Sequence, residues 1–371
     1  MQSKENLSRK IKAGVERLGF SFCGISRLQP PLHSEIFNIW ISSGMAADLE
    51  YLKGDKVLET RNHSEQVLPG GKSVIVLGLH YSPIERERGD TKEAKYGRIA
   101  SYAVHEDYHE IFRKKIRKFT SWLKDESKEK TRFRILVDSS AVPEKEYAYF
   151  AGMGWIGRNS LLIHPIFGSF CLLGVIFTTL KIDPDSPLEG DICANCSACI
   201  EACPTGAINA NRTVDARKCI SYQTIENRGI IPVDIRKEFG NRIFGCDTCQ
   251  IVCPANKLVL NKPQDSSSLQ QAIPPQVNLE QALQMDQDAF EKKYEITPIN
   301  RLTLDLFQRN LLLAVGNSKS ENYVDILEMI LKSHPSAILR AQAAWALGEI
   351  ASPRSRAILS KYLKLETDKE V

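Results

Sequence analysis

Cysteine spacing constrains this chain more than any other feature. Eight of its ten cysteines lie between positions 193 and 253. The first four form the run Cys193-x2-Cys196-x2-Cys199-x3-Cys203, which is followed by Pro204. In bacterial ferredoxins with this spacing, three closely spaced thiolates surround one iron–sulfur cluster and the fourth binds a second cluster. The run therefore predicts a module with two clusters.

A second half of this module follows, with one cysteine displaced. The run Cys246-x2-Cys249-x3-Cys253 precedes Pro254 but lacks the first cysteine of the pattern, and Cys219 is the only nearby cysteine left to replace it. The pseudo-symmetry of two-cluster ferredoxins then assigns every ligand. Cluster one is predicted to take Cys193, Cys196, Cys199 and Cys253, and cluster two Cys203, Cys219, Cys246 and Cys249.

Two other interpretations of the cysteines are weaker. Disulfide frameworks stabilise short secreted chains, whereas a chain of 371 residues can bury a large core. Structural zinc also uses paired Cys-x2-Cys units, but it needs neither the third closely spaced cysteine nor the Cys-Pro endings. The sequence therefore favours two 4Fe-4S clusters, and Cys23 and Cys171, in apolar surroundings, are predicted to be core residues.

The N-terminal residues have the pattern of a surface helix. Leu7, Ile11, Val15 and Leu18 recur at helical spacing between charged residues, and no apolar signal-peptide core precedes them. No uncharged run approaches the roughly 18 residues needed to cross a bilayer. We expect a soluble cytoplasmic protein with reduced thiols and no membrane partner.

Three regions follow from composition and periodicity. Residues 1–185 alternate helical and strand patterns, which predicts an α/β or α+β domain, and 186–261 form the ferredoxin-like module. A linker rich in Pro, Gln and Ser is predicted at 262–277, before a helical region at 278–371. Strands are predicted at 73–81, 133–137 and 170–179, the last in a hairpin with 160–164. An apolar helical stripe comprises Phe112, Ile116, Phe119 and Leu123.

The C-terminal region contains an internal repeat. Residues 312–316 (LLAVG) match 344–348 (AWALG) at an offset of 32. Two helices per unit with a glycine-containing turn is the pattern of an α-solenoid and resembles short HEAT repeats. Two units are too few to be stable alone, so we expect them to pack on the rest of the chain, either as a helical extension or as a binding surface.

Two short motifs match catalytic patterns without their context. His105-Glu106-Asp107-Tyr108-His109 fits the H-E-x-x-H pattern of zinc proteases, but no suitable third ligand follows, so a protease is not expected. Gly152-x-Gly154-x-x-Gly157 fits the dinucleotide pattern G-x-G-x-x-G, but it follows a helical stretch rather than a strand. These glycines are expected to permit a tight loop against a ligand or a neighbouring backbone.

Further motifs are distributed along nearly the whole chain. They are Arg61 with 68–73 (LPGGKS), 100–103 (ASYA), 107–109 (DYH), 136–139 (LVDS), 151–163 (AGMGWIGRNSLLI), 219–226 (CISYQTIE) and 245–250 (GCDTCQ). Together with the ferredoxin run, they resemble the epoxyqueuosine reductase family, the cobalamin- and iron–sulfur-dependent enzymes of tRNA queuosine biosynthesis. The combination is far more specific than any single motif.

The resemblance implies a reaction and a proton donor. The epoxide of epoxyqueuosine in tRNA would be reduced to queuosine, a super-reduced cobalt centre acting on the epoxide while an acid protonates the departing oxygen. Asp138 matches the family's proton donor. Such a donor must stay protonated near neutral pH, a state that burial and nearby negative charge favour. Without the resemblance, Asp138 is more simply explained as a turn or cap residue.

The resemblance also implies the cofactors and partners. These are cobalamin, two 4Fe-4S clusters, tRNA carrying epoxyqueuosine in its anticodon loop and an unidentified low-potential electron donor. The N-terminal domain would bind the cobalamin, and by motif the pocket would use Arg61, Ser101, Tyr102, Asp138, Trp155, Asn159, Ser160, Ser221, Gln223, Cys246 and Asp247. Independently, the 26 residues between Cys219 and Cys246 are a long insertion for a ferredoxin, sufficient to close over a ligand beside cluster two.

Charge is unevenly distributed along the chain. The whole chain carries only +4, but residues 113–134 contain ten Lys/Arg and three acids, so this segment carries +7 and the remainder −3. Such one-sided density indicates either a solvated helix face or a surface that contacts phosphates. Basic residues of the repeat region are candidates to extend this surface along an anticodon stem: Arg309, Arg340, Arg354, Arg356 and Lys361.

Two alternatives use the same modules. A corrinoid-dependent reductive dehalogenase also joins a cobalamin domain to a two-cluster ferredoxin. Such enzymes typically carry a twin-arginine export signal, which this sequence lacks, and the repeat region fits them poorly. A non-catalytic ferredoxin-type electron carrier or RNA-binding scaffold is the alternative from another class. It would remain free of corrinoid when cobalamin is offered.

Overall fold

The computed structural model describes residues 2–84, 95–127, 130–138, 141–261, 268–369 and 371. Within them, no helix combines the length and apolar character that crossing a membrane requires. The strands are β1 (Phe22–Arg27), β2 (Ser73–His80), β3 (Tyr96–Ile99), β4 (Phe133–Leu136), β5 (Trp155–Ile156), β6 (Leu162–Ile163), β7 (Cys171–Thr178), β8 (Arg242–Phe244) and β9 (Gln276–Asn278).

The helices before the C-terminal repeats are α1 (Gln2–Arg17), α2 (Ser34–Ser42), α3 (Asp55–Asn62), α4 (Tyr108–Ser127), α5 (Glu144–Phe150), α6 (Ala198–Glu201), α7 (Ile220–Ile225), α8 (Thr248–Ile251), α9 (Lys257–Leu260), α10 (Leu279–Leu283) and α11 (Gln287–Tyr294). The repeats comprise α12 (Leu304–Ser318), α13 (Val324–Ser333), α14 (Ala337–Ile350) and α15 (Pro353–Tyr362).

A four-stranded antiparallel sheet, in the order β1-β2-β7-β4, forms the centre of the N-terminal region. Successive side chains of β2 point to opposite faces, and both faces are covered. Ile75 and Leu77 pack with the apolar stripes of α1 and α4, and Val74 and Val76 pack with α5. The predicted stripe of α4 is fully buried in the first of these two layers.

The strand predicted at 170–179 exists, but its predicted hairpin with 160–164 is wrong. β7 pairs with β2 along one edge and with β4 along the other, so neither edge is left for a third partner. The short β6 instead pairs with β5. One isolated bridge, between His164 and Gly168, joins the two segments near their connecting turn.

A smaller sheet, in the order β8-β3-β9, joins three parts of the sequence. β3 pairs in parallel with β8, which lies in the cysteine region (residues 186–261), and it pairs in antiparallel orientation with β9. The predicted linker is therefore packed where the structure describes it, and Leu269 and Ile273 are buried. Residues 262–267 of that linker lie outside the described residues. Its apolar residues, rather than its Pro and Gln content, determine the packing.

The C-terminal repeat forms two helical hairpins, α12–α13 and α14–α15, in agreement with the repeat prediction. These helices also pack on the rest of the chain, as expected for so few units. α12 contacts both β8 and α7, and Leu313 of α12 lies in a buried cluster with Ile220, Ile231 and Phe239.

Neither the H-E-x-x-H match nor the G-x-G-x-x-G match has the structure of a zinc-protease or dinucleotide site, as the sequence context predicted. α4 begins at Tyr108, so His105 and His109 do not share a helix as a zinc protease would require. Gly152 and Gly154 have positive φ angles in the loop between α5 and β5. A Cβ at either position would lie within 2.4 Å of a backbone oxygen, of Ser186 or Ile163 respectively, so the loop depends on glycine.

The equivalent glycines of the two repeats provide a matched test of the packing. A Cβ at Gly316 would lie 2.5 Å from the Trp345 ring and 3.0 Å from the Ala346 backbone, whereas one at Gly348 would meet no atom within 4 Å. We expect Gly316→Ala to lower the free energy of unfolding by about 1–3 kcal/mol. Gly348→Ala should raise it by up to about 1 kcal/mol, because alanine favours helix. Urea unfolding measures both, and equal effects would contradict this packing.

Candidate active site

A cavity of about 1180 Å³ opens between the N-terminal region and the cysteine region. Nine of the eleven residues that the resemblance assigns to the cobalamin site line it: Arg61, Tyr102, Asp138, Trp155, Asn159, Ser160, Ser221, Cys246 and Asp247. They come from α3, from the 3-10 turn after β3, from the segments after β4 and α5, from α7 and from the two residues before α8. Ser101 and Gln223 are not among the lining residues.

Ser101 and Gln223 have different partners next to the cavity lining. The backbone N–H and the hydroxyl of Ser101 both donate to Asp247 Oδ2, at 2.8 and 2.7 Å. Gln223 donates from Nε2 to the Arg217 carbonyl at 2.6 Å and accepts a hydrogen bond from Asn227. Both residues are buried. Ser101 thus orients the wall residue Asp247, whereas Gln223 bonds to residues outside the lining.

The cysteines predicted for cluster two lie on the cavity wall. Cys203, Cys219, Cys246 and Cys249 all line it, and all ten cysteines are free thiols. Burial is the main cause that raises the pKa of Cys219 to about 11; backbone hydrogen bonds from Tyr222 and Ser221 oppose it, and the Cys246 and Cys203 thiols add to it. Burial likewise raises the pKa of Cys249 well above its usual range, with contributions from Cys246 and Cys219.

The cysteines predicted for cluster one form the adjoining group. Burial raises the pKa of Cys199, with contributions from Cys193, Cys253 and Cys196. Cys249 also interacts with Cys199, so the two groups are neighbours. Among the described residues, no three His, Cys, Asp or Glu side chains are arranged to share one metal ion. A cubane cluster needs no such arrangement, because each thiolate binds a different iron atom.

Asp138 lies on the cavity wall between β4 and α5, with the left-handed φ of 55°. Tyr108 donates from its hydroxyl to Asp138 Oδ2 at 2.6 Å, and His109 Nε2 lies 3.3 Å from the same oxygen. On the other side of its ring, His109 Nδ1 lies 2.8 Å from Asp107 Oδ1. The imidazole is thus held between two carboxylates and stacks on Tyr108.

The proton in this group resides on His109. Burial alone would lower the pKa of His109, but hydrogen bonds and attraction from Asp107 and Asp138 raise it to about 9. Burial alone would raise the pKa of Asp138, but hydrogen bonds from His109 and Tyr108 outweigh it and lower that pKa. The expectation that Asp138 itself stays protonated near neutral pH is therefore wrong for this arrangement, because its partners stabilise the carboxylate.

A second acid beside Asp138 does retain a proton. Glu144 Oε1 accepts a hydrogen bond from the backbone N–H of Asp138 at 2.8 Å. Burial, and then repulsion from the Asp138 carboxylate, raise the pKa of Glu144 to about 8. Glu144 is therefore bonded to the backbone of Asp138, and its raised pKa favours the protonated carboxyl at neutral pH.

Sequence reasoning missed Tyr108, His109 and Glu144 as site residues. The signal for the first two was present in the motif 107–109 (DYH), and His109 was also part of the H-E-x-x-H decoy. Its function there is to contact Asp138 rather than to bind zinc. Lys145, which lines the cavity, donates to the Ser160 carbonyl at 2.5 Å and so joins α5 to the predicted cofactor wall.

The predicted basic surface is present on α4, and three of the repeat-region candidates, Arg354, Arg356 and Lys361, are also exposed. Exposed cations follow α4: Arg113, Lys114, Arg117, Lys118 and Lys124. In the repeats, Arg309 is fully buried, so its predicted surface role is wrong. Arg340, Arg354 and Lys361 pair with Glu366, Asp325 and Glu328.

Three family models match parts of this chain. One described as epoxyqueuosine reductase QueG, DUF1730 matches residues 61–139, and a 4Fe-4S double cluster binding domain matches 192–256. A PBS lyase HEAT-like repeat matches 339–364. The chain thus carries a double 4Fe-4S cluster binding domain and a HEAT-like repeat, as the spacing and repeat analyses predicted.

Relatives cover nearly the full length. Epoxyqueuosine reductase of Pseudomonas aeruginosa is 33% identical over 351 residues, which cover 92% of this chain and 94% of the relative. The Escherichia coli enzyme is 33% identical over 360 residues, covering 96% and 93%. A crystal structure of epoxyqueuosine reductase with an epoxyqueuosine-modified tRNA stem loop matches with a TM-score of 0.88 at 28% identity, covering 99% of this chain and 96% of that one.

These similarities confirm the resemblance and do not favour the dehalogenase, electron-carrier or scaffold alternatives. They also agree with the motifs that converge on the cavity. By sequence along more than nine-tenths of its length and by fold, this chain belongs to the epoxyqueuosine reductase family of oxidoreductases.

Proposed function

We propose that this chain reduces the epoxide of epoxyqueuosine in the anticodon loop of tRNA to queuosine. In this proposal cobalamin occupies the 1180 Å³ cavity, and the eight clustered cysteines hold two 4Fe-4S clusters in the predicted sets. One observation carries the proposal. The Asp138 carboxylate, bonded to Tyr108 and beside His109, lies on the wall of the same cavity that Cys246 and Cys249 line.

The cavity has the size and chemistry that a corrin ring requires. Its volume exceeds the roughly 300–1,000 Å³ of most ligand pockets. Asn159 Nδ2 is buried on its wall without a hydrogen-bond partner in the described structure, so it is available to a ligand carbonyl such as the amide side chains of a corrin. The Arg61 guanidinium, 4.2 Å from the Phe37 ring centroid, adds a fixed cation on this wall. We assign Trp155, Ser160, Ser221 and Asp247 to the same site.

The cluster arrangement supports electron delivery to this cavity. Cluster two would share its wall through Cys203, Cys219, Cys246 and Cys249, while cluster one would lie behind it through Cys193, Cys196, Cys199 and Cys253. Electrons from an external low-potential donor would then pass from cluster one to cluster two. When bound, reduced cobalamin supplies the electrons that open the epoxide.

The protein side of the reaction is proton delivery. Removal of an epoxide oxygen as water consumes two electrons and two protons. Two protonated groups adjoin Asp138, because His109 and Glu144 have pKa values raised to about 9 and about 8. Asp138 is 51% exposed toward the open cavity, whereas His109 is largely covered. We therefore assign Asp138 as the group that passes a proton to the departing oxygen and His109 as the group that resupplies it.

The tRNA phosphates would meet cations around the site. α4 begins at Tyr108, beside Asp138, and carries the exposed basic residues along its length. Arg301, whose side chain is 37% exposed, also acts electrostatically on Asp138 from the segment before α12. These positions suit a stem loop whose modified base enters the cavity while its backbone remains outside.

Asp138→Asn tests the proton-donor assignment. We expect this variant to keep both clusters and corrinoid binding but to lose roughly 10²–10⁴-fold in turnover, the usual contribution of a positioned acid. The assay is anaerobic incubation with cobalamin, a reductant and tRNA containing epoxyqueuosine, followed by nucleoside mass analysis. Asp325→Asn, at an exposed site in the repeats, is the matched control and should react like wild type. Near wild-type turnover by Asp138→Asn would refute the role.

The pKa of His109 tests the electrostatic coupling between His109 and Asp138. In the wild type the imidazolium should persist until the pH passes about 9, because two carboxylates stabilise it. Asp138→Asn removes one of them, so the pKa of His109 should fall toward 6.5. NMR titration of ring-labelled histidine in corrinoid-free protein measures both values. Titration near 6.5 already in the wild type would contradict the arrangement.

A further inference from the structure

Arg309 of α12 is completely buried and uses every donor it has. Nη1 donates to the carbonyls of Asn227 and Gly229 at 2.8 and 2.7 Å, and Nη2 donates to the Gln223 carbonyl at 2.8 Å. Nε and Nη2 both donate to Asn310 Oδ1, at 3.1 and 2.9 Å. All these acceptors are neutral oxygens. A buried cation is costly to place unless it is hydrogen-bonded, and the rigid guanidinium fixes the direction of each of these bonds.

The neighbouring residue, Asn310, completes the arrangement. Its Oδ1 accepts the two bonds from Arg309, and its Nδ2 donates to the carbonyls of Thr224 and Ile243 at 2.8 and 2.9 Å. The amide is therefore fully bonded and, like the guanidinium, completely buried. Two consecutive residues of one helix thus bind five backbone carbonyls of the cysteine region.

These carbonyls lie at both ends of the segment that separates Cys219 from Cys246. Gln223 and Thr224 belong to the last turn of α7, whose carbonyls have no partners within the helix, and Cys219 is the N-cap of that helix. Ile243 lies in β8, three residues before Cys246. The Gly245 N–H donates to Thr224 Oγ1 at 2.9 Å and joins the two ends directly.

We propose that the Arg309–Asn310 pair positions Cys219 and Cys246 for cluster two. The HEAT-like repeats would thus hold two ligands of that cluster in place for its assembly. Arg309 is accordingly a positioning residue and not an RNA contact. This inference rests on the proposed ligand sets. It predicts that a change in the repeats, outside the cavity lining, alters cluster two selectively.

The test compares iron content and reduced-state EPR spectra of purified holoprotein variants. Arg309→Met removes all five donors, and Arg309→Lys keeps the charge with fewer, differently directed donors. Arg340→Met is the matched control, because Arg340 is also largely covered but bonds within the repeat region, to Glu366 and the carbonyls of His334 and Pro335. Cys219→Ser provides the reference spectrum for loss of cluster two.

We expect Arg309→Met to fall from about eight irons per chain toward about four and to show the spectrum of Cys219→Ser. Arg309→Lys should fold and retain iron but change the EPR signal or midpoint potential of cluster two only. Arg340→Met should match wild type. If Arg309→Met itself fails to fold, the Lys variant decides the question.

Two results would overturn the inference. One is a folded Arg309→Lys protein with wild-type signals from both clusters, and the other is an equal change in both clusters. If unchanged clusters were accompanied by reduced tRNA affinity, the Arg309 bonds would instead order the RNA-binding face. Failure of the proposed ligand sets is distinguishable, because wild type would then lack about eight irons or Cys219→Ser would retain both clusters.

Discussion

The cavity depends on how the segment between Cys219 and Cys246 is held. This segment carries two thiols of the cluster-two set and the wall residue Ser221, yet its regular structure is limited to the six-residue α7, a 3-10 helix at Val233–Phe239 and the three-residue β8. Short elements with unsatisfied end carbonyls cannot maintain a wall by themselves. α12 satisfies these end carbonyls through hydrogen bonds from Arg309 and Asn310, and it adds the apolar contacts of Leu313.

In the proposed mechanism, electrons and protons are delivered from different parts of the site. Thiols of the cysteine region form one part of the cavity wall, and the carboxylates and imidazole come from the N-terminal region, at the start of α4 and between β4 and α5. Asp138 contacts His109 through its carboxylate and Glu144 through its backbone N–H, and both partners have raised pKa values. The Asp138 carboxylate can therefore be ionised at rest with a protonated imidazole beside it. The protonation states of these residues are therefore coupled and belong to the group rather than to one carboxyl.

The sequence was most informative where chemistry dictates spacing. Cysteine intervals predicted the two-cluster module, helical periodicity predicted α4, and the offset of 32 predicted the helical hairpins. Strand pairing was harder to predict. The strong apolar pattern of β7 does not reveal that β2 and β4 pair with its two edges. The packing of 268–277 was also missed, since a few buried apolar residues outweigh a linker-like composition.

Electrostatics was the least predictable property. Arg309 and Arg354 are both arginines of the repeat region, yet one is buried among carbonyls and the other is exposed beside Asp325. Similarly, the ionisation of Asp138 depends on Tyr108 and His109, which lie 30 residues earlier in the chain. Such partners become visible only when the fold brings distant segments together.

The central claim is that one cavity joins the corrinoid, cluster two and Asp138. Anomalous X-ray scattering at the cobalt edge, from crystals of the protein reconstituted with cobalamin and both clusters, tests it most directly. We expect one cobalt peak per chain inside the cavity lined by Asp138, Asn159 and Cys246. A cobalt peak elsewhere, or none in crystals that contain both clusters, would contradict it.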